Sequence, residues 1–266
     1  MGRKLKFICL LLSSLILGAC EKVIELKLKN IEPKYVIEGV IANENASCRV
    51  IISNTKDFKD DNDFVGISGA VVTMETKGVV YKLLETATGT YQNNTLKGVP
   101  GQTYNLKIVI NQEVITATST MPLVVPLDAI YVAAGDVTLE RAMVNVRYRD
   151  TPDVKNYYWF QQYVNGSRMT DYAVVSDELS SGRDIVAGLI FKNNTSDASR
   201  NFKSGDRLTV VMHSIDLPVY NYLNSLSSAS GMSYDTAPSN PRSNLNGSAL
   251  GYFSAHTTQR RSINLP

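Results

Sequence analysis

Residues Thr103 to Thr120, TYNLKIVINQEVITATST, decide the class of fold. Apolar and polar side chains alternate from Thr103 to Ile110, which is the period of a β-strand with one buried face. Asn111-Gln112-Glu113 then forms a turn, and Val114 to Thr120 resumes a β-branched run. The stretch therefore predicts an antiparallel β-hairpin.

Short segments of the same kind occupy the chain on the N-terminal side of this hairpin. Turn signals separate them: Thr76-Lys77-Gly78 predicts a hairpin turn, and Pro100-Gly101 punctuates the chain before Thr103. The predicted strands there are Tyr35 to Ala42, Cys48 to Ser53, Gly69 to Glu75, Val79 to Glu85 and a short segment from Tyr91. Seven short strands at near-regular spacing predict an immunoglobulin- or transthyretin-like β-sandwich over residues 35–120.

The chain on the C-terminal side is also predicted to be mostly β. Residues 121–126, MPLVVP, carry two prolines and are expected to be a stiff linker. Residues 127–266 are predicted to form a second β-rich domain with one helix near 217–228, capped by Asp216. Its predicted strands are Ala129 to Ala133, Ala142 to Arg149, Tyr157 to Val164, Asp184 to Phe191, Arg207 to His213 and Leu250 to His256.

The first nineteen residues have the layout of a secretory signal peptide. Arg3, Lys4 and Lys6 precede a short apolar run from Ile8 to Leu17, and small residues then lead to Cys20. This ending resembles the lipobox of bacterial lipoproteins, which predicts lipidation of Cys20 after cleavage. Plain secretion and an uncleaved anchor are the alternatives, although the apolar run is short for a membrane span. Residues 20–34 are expected to be a tether or a first edge strand.

Composition excludes several classes of function. Loss of the signal removes three basic residues and leaves basic and acidic side chains nearly balanced, so there is no electrostatic footprint for nucleic acid or anionic lipid. Of the three cysteines, Cys9 leaves with the signal and Cys20 is lipidated. Cys48 then has no partner for an intramolecular disulfide, and we expect it to be a buried strand residue.

Candidate sites are few. Residues 60–63, DDND, match no EF-hand spacing and are predicted to be a solvated loop rather than a metal site. No motif for a cofactor is present. His213 and His256 are the two histidines; a Ser-His-Asp triad is not visible from sequence spacing, and we predict that neither histidine is catalytic.

The aromatic run Tyr157-Tyr158-Trp159-Phe160 contains the single tryptophan of the chain. Alternation places Tyr157 and Trp159 on one face of a strand, and these two residues are the candidate ligand-binding residues. Core on both faces is the interpretation that we prefer.

A spaced set of motifs resembles one family over nearly the whole chain. The motifs are CEK at 20–22, YVIEGVIAN at 35–43, SGAVV at 68–72, GTY at 89–91, GVPGQTY at 98–104, NP at 240–241, SN at 243–244 and GYF at 251–253. They are similar to those of the Bacteroidota lipoproteins grouped as domain-of-unknown-function family 4249. The resemblance implies an envelope lipoprotein that accompanies a TonB-dependent outer-membrane transporter, and it implies no catalytic residues.

The sequence thus predicts a non-enzymatic, lipid-anchored outer-membrane protein that is an accessory or ligand-capturing component of a TonB-dependent uptake system. Its partners would be the membrane, through the lipid, and the transporter, but not nucleic acid. One alternative is a structural subunit of lipoprotein-derived fimbriae, which assemble by strand donation. A second alternative is an envelope hydrolase that uses His213 or His256.

Overall fold

The Thr103 to Thr120 segment forms the hairpin that its alternation predicts. Eight residue pairs join its two strands, from Thr103 with Thr120 to Ile110 with Glu113. The turn residues Asn111 and Gln112 have φ values of 45° and 68°, as a two-residue turn between antiparallel strands requires. Tyr104, Leu106, Ile108 and Ile110 all point into the core.

The computed structural model describes residues 32–56, 65–133, 141–178, 182–192, 203–227 and 241–265. Within these ranges the chain forms strands β1 to β15 and helix α1. The strands are β1 Tyr35–Ala42, β2 Cys48–Asn54, β3 Val71–Thr76, β4 Val79–Ala87, β5 Thr90–Asn93, β6 Thr103–Ile110, β7 Glu113–Thr120, β8 Leu127–Tyr131, β9 Arg141–Arg149, β10 Tyr157–Val164, β11 Ser167–Ser176, β12 Asp184–Lys192, β13 Arg207–Ile215, β14 Leu245–Asn246 and β15 Leu250–Asn264. Helix α1 is Leu217–Ser227. The predicted fold class, mostly β with sandwich packing and one short helix, is confirmed.

Twelve of these strands follow one another by hydrogen bonding, in the order β11-β10-β13-β15-β1-β2-β5-β4-β3-β6-β7-β14. Strands β12, β9 and β8 form a separate sheet. The first half of β4, Val79 to Leu83, pairs with β3 and its second half, Leu84 to Ala87, pairs with β5, so the run of strands passes from one layer to the other along β4. Two layers then face each other around a first core, to which β1–β7 all contribute.

A second core lies between the β12-β9-β8 sheet and strands β10 and β13. Each sheet buries the alternate apolar side chains that would otherwise face water, which is why two layers form. Tyr148, Tyr158, Phe160 and Phe191 are the largest side chains in this core, and each is fully buried.

Strand β15 joins the two sandwiches. Its first half, Leu250 to His256, pairs in parallel with β1, and its second half, Thr257 to Asn264, pairs antiparallel with β13. The sequence predicted a strand only to His256 followed by a short tail; this was wrong, because the polar residues beyond His256 are held by pairing with β13. Phe253 and Ala255 complete the first core.

The helix begins where the sequence predicts. An Asp216 carboxylate oxygen accepts a hydrogen bond from the Val219 N–H at 3.2 Å, which is an N-cap interaction. The other oxygen accepts hydrogen bonds from the Ser119 hydroxyl at 2.7 Å and the Thr120 N–H at 3.1 Å. This carboxylate therefore ties the helix to strand β7 of the first sandwich, and its burial raises the pKa of Asp216. No helix in the described ranges is long and apolar enough to cross a bilayer.

Strands β11 and β14 go beyond the sequence predictions. Strand β11 was not predicted, because its residues, SRMTDYAVVS, mix polar and apolar side chains without a clear period. The described residues from Pro33 onward belong to one compact unit, and residues 121–126 have no regular secondary structure. The predicted division into two domains with a linker at 121–126 stays a prediction.

Candidate functional site

Tyr157 and Trp159 lie beneath helix α1 rather than at an open surface. They are 8% and 5% exposed, and they pack in a third apolar cluster with residues of β13 and the helix. Tyr158 and Phe160 alternate to the opposite face and are buried in the second core. Both faces of the aromatic run are therefore buried in the core, which is the interpretation that we preferred from the sequence. A ligand role for Tyr157 and Trp159 stays a prediction.

The ring of His213 lies next to Trp159 on the same face of the sheet. The ring centroids are 4.8 Å apart, and the two residues are register partners across β10 and β13. His213 Nε2 is 3.1 Å from Gln161 Oε1, and His213 Nδ1 is 3.1 Å from Thr258 Oγ1. A neutral imidazole has one donor and one acceptor, so it satisfies both partners by donating to the amide oxygen and accepting from the hydroxyl.

His256 lies on the neighbouring strand β15 and meets His213 edge to face, with ring centroids 4.6 Å apart. Its Nδ1 atom is 2.9 Å from Ser254 Oγ. No described residue forms a hydrogen bond with its Nε2 atom, which is the remaining polar atom of the ring. His256 is 4% exposed.

Both histidines are neutral at neutral pH. Burial lowers the pKa of His213 well below its usual value, and the positive charges of Arg260 and Arg168 act in the same direction. Burial also lowers the pKa of His256 to about 4. The imidazoles therefore act here as neutral hydrogen-bonding groups and not as cations.

A groove of about 420 Å³ lies against this face of the sheet, above the histidine rings. It crosses the strands β10, β13, β15 and β1, which are adjacent in that order. Nine of its thirteen lining residues have polar side chains. The lining residues are Val40, Ala42, Glu44, Ser47, Gln161, Tyr163, Gly166, Thr209, Val211, His213, His256, Thr258 and Arg260.

The rim of the groove carries one ion pair. A terminal nitrogen of Arg260 lies 2.8 and 3.0 Å from the two carboxylate oxygens of Glu44. Both side chains are about half exposed, so the pair contributes little to stability. It does neutralise the guanidinium charge at the edge of the groove.

The two histidines form hydrogen bonds with neutral side chains, as is typical of a structural role. Nucleophilic catalysis needs an accessible nucleophile, a base and a third group that orients the base. Ser254 lies beside His256 but is completely buried. Among the described residues no carboxylate forms a hydrogen bond with either histidine.

Cys48 and the acidic residues 60–63 are the other candidate sites that the sequence analysis considered. Cys48 is fully buried on β2, as predicted, and burial raises the pKa of its thiol to about 12. No three His, Cys, Asp or Glu side chains within the described ranges are grouped as a metal-ligand set. Residues 60–63, Cys20 and the signal peptide lie outside the described residues.

The sequence singled out His213 and His256 only as candidates for catalysis, and it did not identify the other groove residues. Gln161 directly follows the aromatic run, and Arg260 lies beyond the point where the last strand was predicted to end. One signal was available: Ser254, His256, Thr258 and Arg260 recur with the period of a strand, which indicates one polar face. The partner strand that completes the face, β1, is more than two hundred residues away in the sequence.

These features define a β-sandwich protein with a ligand-sized groove across the strands that join its two cores. The chain belongs to the family described as "Domain of unknown function (DUF4249)", whose model matches residues 21–262. The family resemblance that the sequence motifs indicated is confirmed. No curated protein matches the sequence.

Solved structures give weak similarities. A candidate carbohydrate-binding protein from Bacteroides uniformis ATCC 8492 aligns with 10% identity and a TM-score of 0.25, covering 87% of this chain and 98% of that one. A segment of two fibronectin type-III domains from chicken tenascin aligns with 12% identity and a TM-score of 0.20, covering 68% and 90%. Neither similarity bears on the function of this chain.

Proposed function

We propose that this protein is a lipid-anchored, non-enzymatic component of the bacterial envelope that captures a ligand for, or otherwise assists, a TonB-dependent outer-membrane transporter. The signal layout that ends at Cys20 supports the lipid anchor. Membership in the family supports the class of protein without assigning a ligand.

The groove over His213 and His256 is the observation that carries the ligand-capturing part of the proposal. Ligand pockets typically have volumes of roughly 300–1,000 Å³ and place a few polar groups on a rigid frame. The groove is about 420 Å³, and four hydrogen-bonded strands build its floor. A floor of paired strands holds its side chains in fixed positions, which lowers the entropy cost of binding.

The absence of catalysis is supported by how the histidines use their atoms. Both nitrogens of His213 are occupied by neutral partners. The lowered pKa values make both rings weak bases, whereas a general base works best with a pKa near the operating pH.

The test is recovery of the protein with its partners from the envelope. The full chain with a C-terminal tag is extracted in mild detergent, and mass spectrometry identifies the co-purified proteins and the mature N-terminus. We expect acylated Cys20 and a TonB-dependent transporter in near-equal amount. A Cys20→Ser variant, which cannot be acylated, is the control and should lose both the acyl group and the membrane-bound partner.

Other results would overturn the proposal. Recovery of the acylated protein without any transporter would remove the uptake role. A ladder of self-assembled species with a trimmed N-terminus would instead favour the fimbrial subunit.

A further inference from the structure

We propose that the groove over His213 and His256 binds a neutral, polyhydroxylated ligand, that is, a sugar, and that Gln161 and His256 are its principal hydrogen-bonding residues. This inference rests on the proposed ligand-capturing function and names the class of its ligand. Three observations support it: the charge balance of the groove, its polar atoms that form no hydrogen bond with a described residue, and its aromatic wall.

Charge balance disfavours an ionic ligand. The titratable residues that line the groove are Glu44, Tyr163, His213, His256 and Arg260. The carboxylate of Glu44 offsets the guanidinium of Arg260, and the two buried imidazoles are neutral. Arg168 acts on His213 from a distance but is not part of the lining. The groove itself therefore offers neither an excess positive nor an excess negative charge.

Among the described residues, only one end of the Gln161 amide has hydrogen-bond partners. Its Oε1 atom lies 3.1 Å from His213 Nε2 and 3.4 Å from the Tyr163 hydroxyl. None of the described residues forms a hydrogen bond with its Nε2 atom. If the amide is rotated by 180°, its oxygen is the atom without a partner among the described residues, since one end of the amide faces His213 in either orientation. A primary amide in this position can donate to, or accept from, a sugar hydroxyl.

His256 provides a second polar atom, Nε2, with which no described residue forms a hydrogen bond. Its Nδ1 atom bonds to the Ser254 hydroxyl, which can act as donor or acceptor. Either tautomer of the ring is therefore compatible with that bond, and Nε2 is free to act in the complementary role. Hydroxyl groups have the same versatility, so a neutral imidazole and an amide match them well.

Tyr163 gives the groove an aromatic wall. The ring is half-buried, lines the groove and is fixed by its hydroxyl, which bonds back to Gln161. Val40, Ala42 and Val211 add apolar surface to the lining. Sugars present both apolar C–H faces and polar hydroxyl edges, and a pocket that combines an aromatic face with a few polar groups suits such a ligand.

The experiment uses the full mature protein, purified in mild detergent, on an array of neutral glycans (glucans, mannans, xylans and galactans) and acidic glycans (galacturonans and sialylated oligosaccharides). Retained glycans are then titrated calorimetrically. We expect retention of at least one neutral glycan. Gln161→Leu should weaken its binding about tenfold, which corresponds to the loss of one useful hydrogen bond.

Two further variants keep the test independent of folding defects in Gln161→Leu. Tyr163→Ser changes the half-buried wall of the groove and should also weaken binding. Gln259→Leu is the matched control, because Gln259 lies between Thr258 and Arg260 on β15 but alternates to the opposite face of the sheet. It should bind like the unmodified protein.

One further variant tests the charge balance of the groove. Glu44→Gln removes the partner of Arg260 and should increase retention of acidic glycans relative to neutral ones. Retention of no neutral glycan, preference of the unmodified protein for acidic glycans, or binding that Gln161→Leu and Tyr163→Ser leave unchanged would each overturn the proposal. If the pull-down recovers a transporter with acylated Cys20 but no glycan is retained on the array, only the assignment of a sugar ligand is wrong. If a neutral glycan binds but no transporter is recovered, only the uptake role is wrong.

Discussion

His213 and His256 meet edge to face on neighbouring strands, with ring centroids 4.6 Å apart, and both rings are buried. Protonating either ring would place a cation next to its neighbour in a poorly solvated site. The relationship therefore couples the stability of the protein to pH, because only the unfolded chain can protonate these histidines freely.

We predict that stability falls as the pH drops below about 6.5. The pKa values of both histidines are lowered in the folded state, to about 4 for His256. Between the unfolded and folded pKa values the unfolded chain binds more protons, so acidification favours unfolding. His256 should contribute a loss of roughly 2 kcal/mol at pH 5 relative to pH 7.5, and His213 a loss in the same direction. Urea denaturation at the two pH values measures the loss.

The control for this pH dependence is the double variant His213→Gln/His256→Gln, whose stability should depend less steeply on pH over the same interval. If both proteins lose the same free energy of unfolding, the carboxylates and not the histidines are responsible.

A pair of tyrosines in the second core gives a matched test of buried hydrogen bonding. The Tyr158 hydroxyl donates a hydrogen bond to the buried carboxylate of Asp150. The Tyr148 hydroxyl is also buried, but no described residue forms a hydrogen bond with it. Tyr158→Phe should destabilise the protein by about 1–3 kcal/mol, because it leaves a buried carboxylate oxygen unpaired. Tyr148→Phe should be neutral or stabilising, and equal losses in chemical denaturation would contradict the argument.

Gly251 should be essential for the joint between β15 and β1. Its φ is +105°, and a Cβ atom at this position would lie 1.9 Å from the carbonyl oxygen of Ile37. Neither backbone can yield without breaking the parallel pairing, so we expect Gly251→Ala to cost about 3 kcal/mol or more. Gly205→Ala is the control, since Gly205 also has a positive φ (+88°) but no atom of the described residues lies within 4 Å of the added methyl group. It should cost about 1 kcal/mol. Comparable melting temperatures for the two variants would disprove the steric explanation.

Cys48 should be unreactive in the folded protein. Its side chain is completely buried, and burial raises the pKa of the thiol to about 12, so the reactive thiolate is scarce. Iodoacetamide at pH 8 should modify it only as fast as the protein unfolds, and rapidly in urea. An Asn45→Cys/Cys48→Ser variant places a thiol in an exposed turn and should react at once. Rapid labelling of Cys48 without denaturant would show that β2 opens readily.

Local chemistry made much of the fold predictable. The boundaries of β1, β6 and β10 follow from β-branched and alternating residues next to turn signals, and Asp216 caps α1 as its position indicates. The aromatic run at Tyr157 was harder, because alternation shows that two faces exist but not what covers each of them. Helix α1 covers the face of Trp159, and this is a long-range contact.

The candidate site was not predictable in the same way. Gln161 and His256 line the same groove because β13 pairs with both of their strands, β10 and β15. Ala42 lines it as well because β1 pairs in parallel with β15. Parallel neighbours need a long connection between them, and here almost the whole chain lies in that connection. Periodicity reports the face of one strand and carries no information about which strand lies beside it.

The sequence by itself therefore determined the β-class, most strand positions, the helix cap and the family, because turn chemistry, side-chain alternation and short motifs act within a few residues of one another. Only the tertiary structure decided that β15 continues to Asn264, that His213 and His256 share a buried site, and that a groove opens over them. These features depend on pairing between residues that are distant in the chain. Such pairing is selected by the burial of whole faces and by the hydrogen bonds of whole strands.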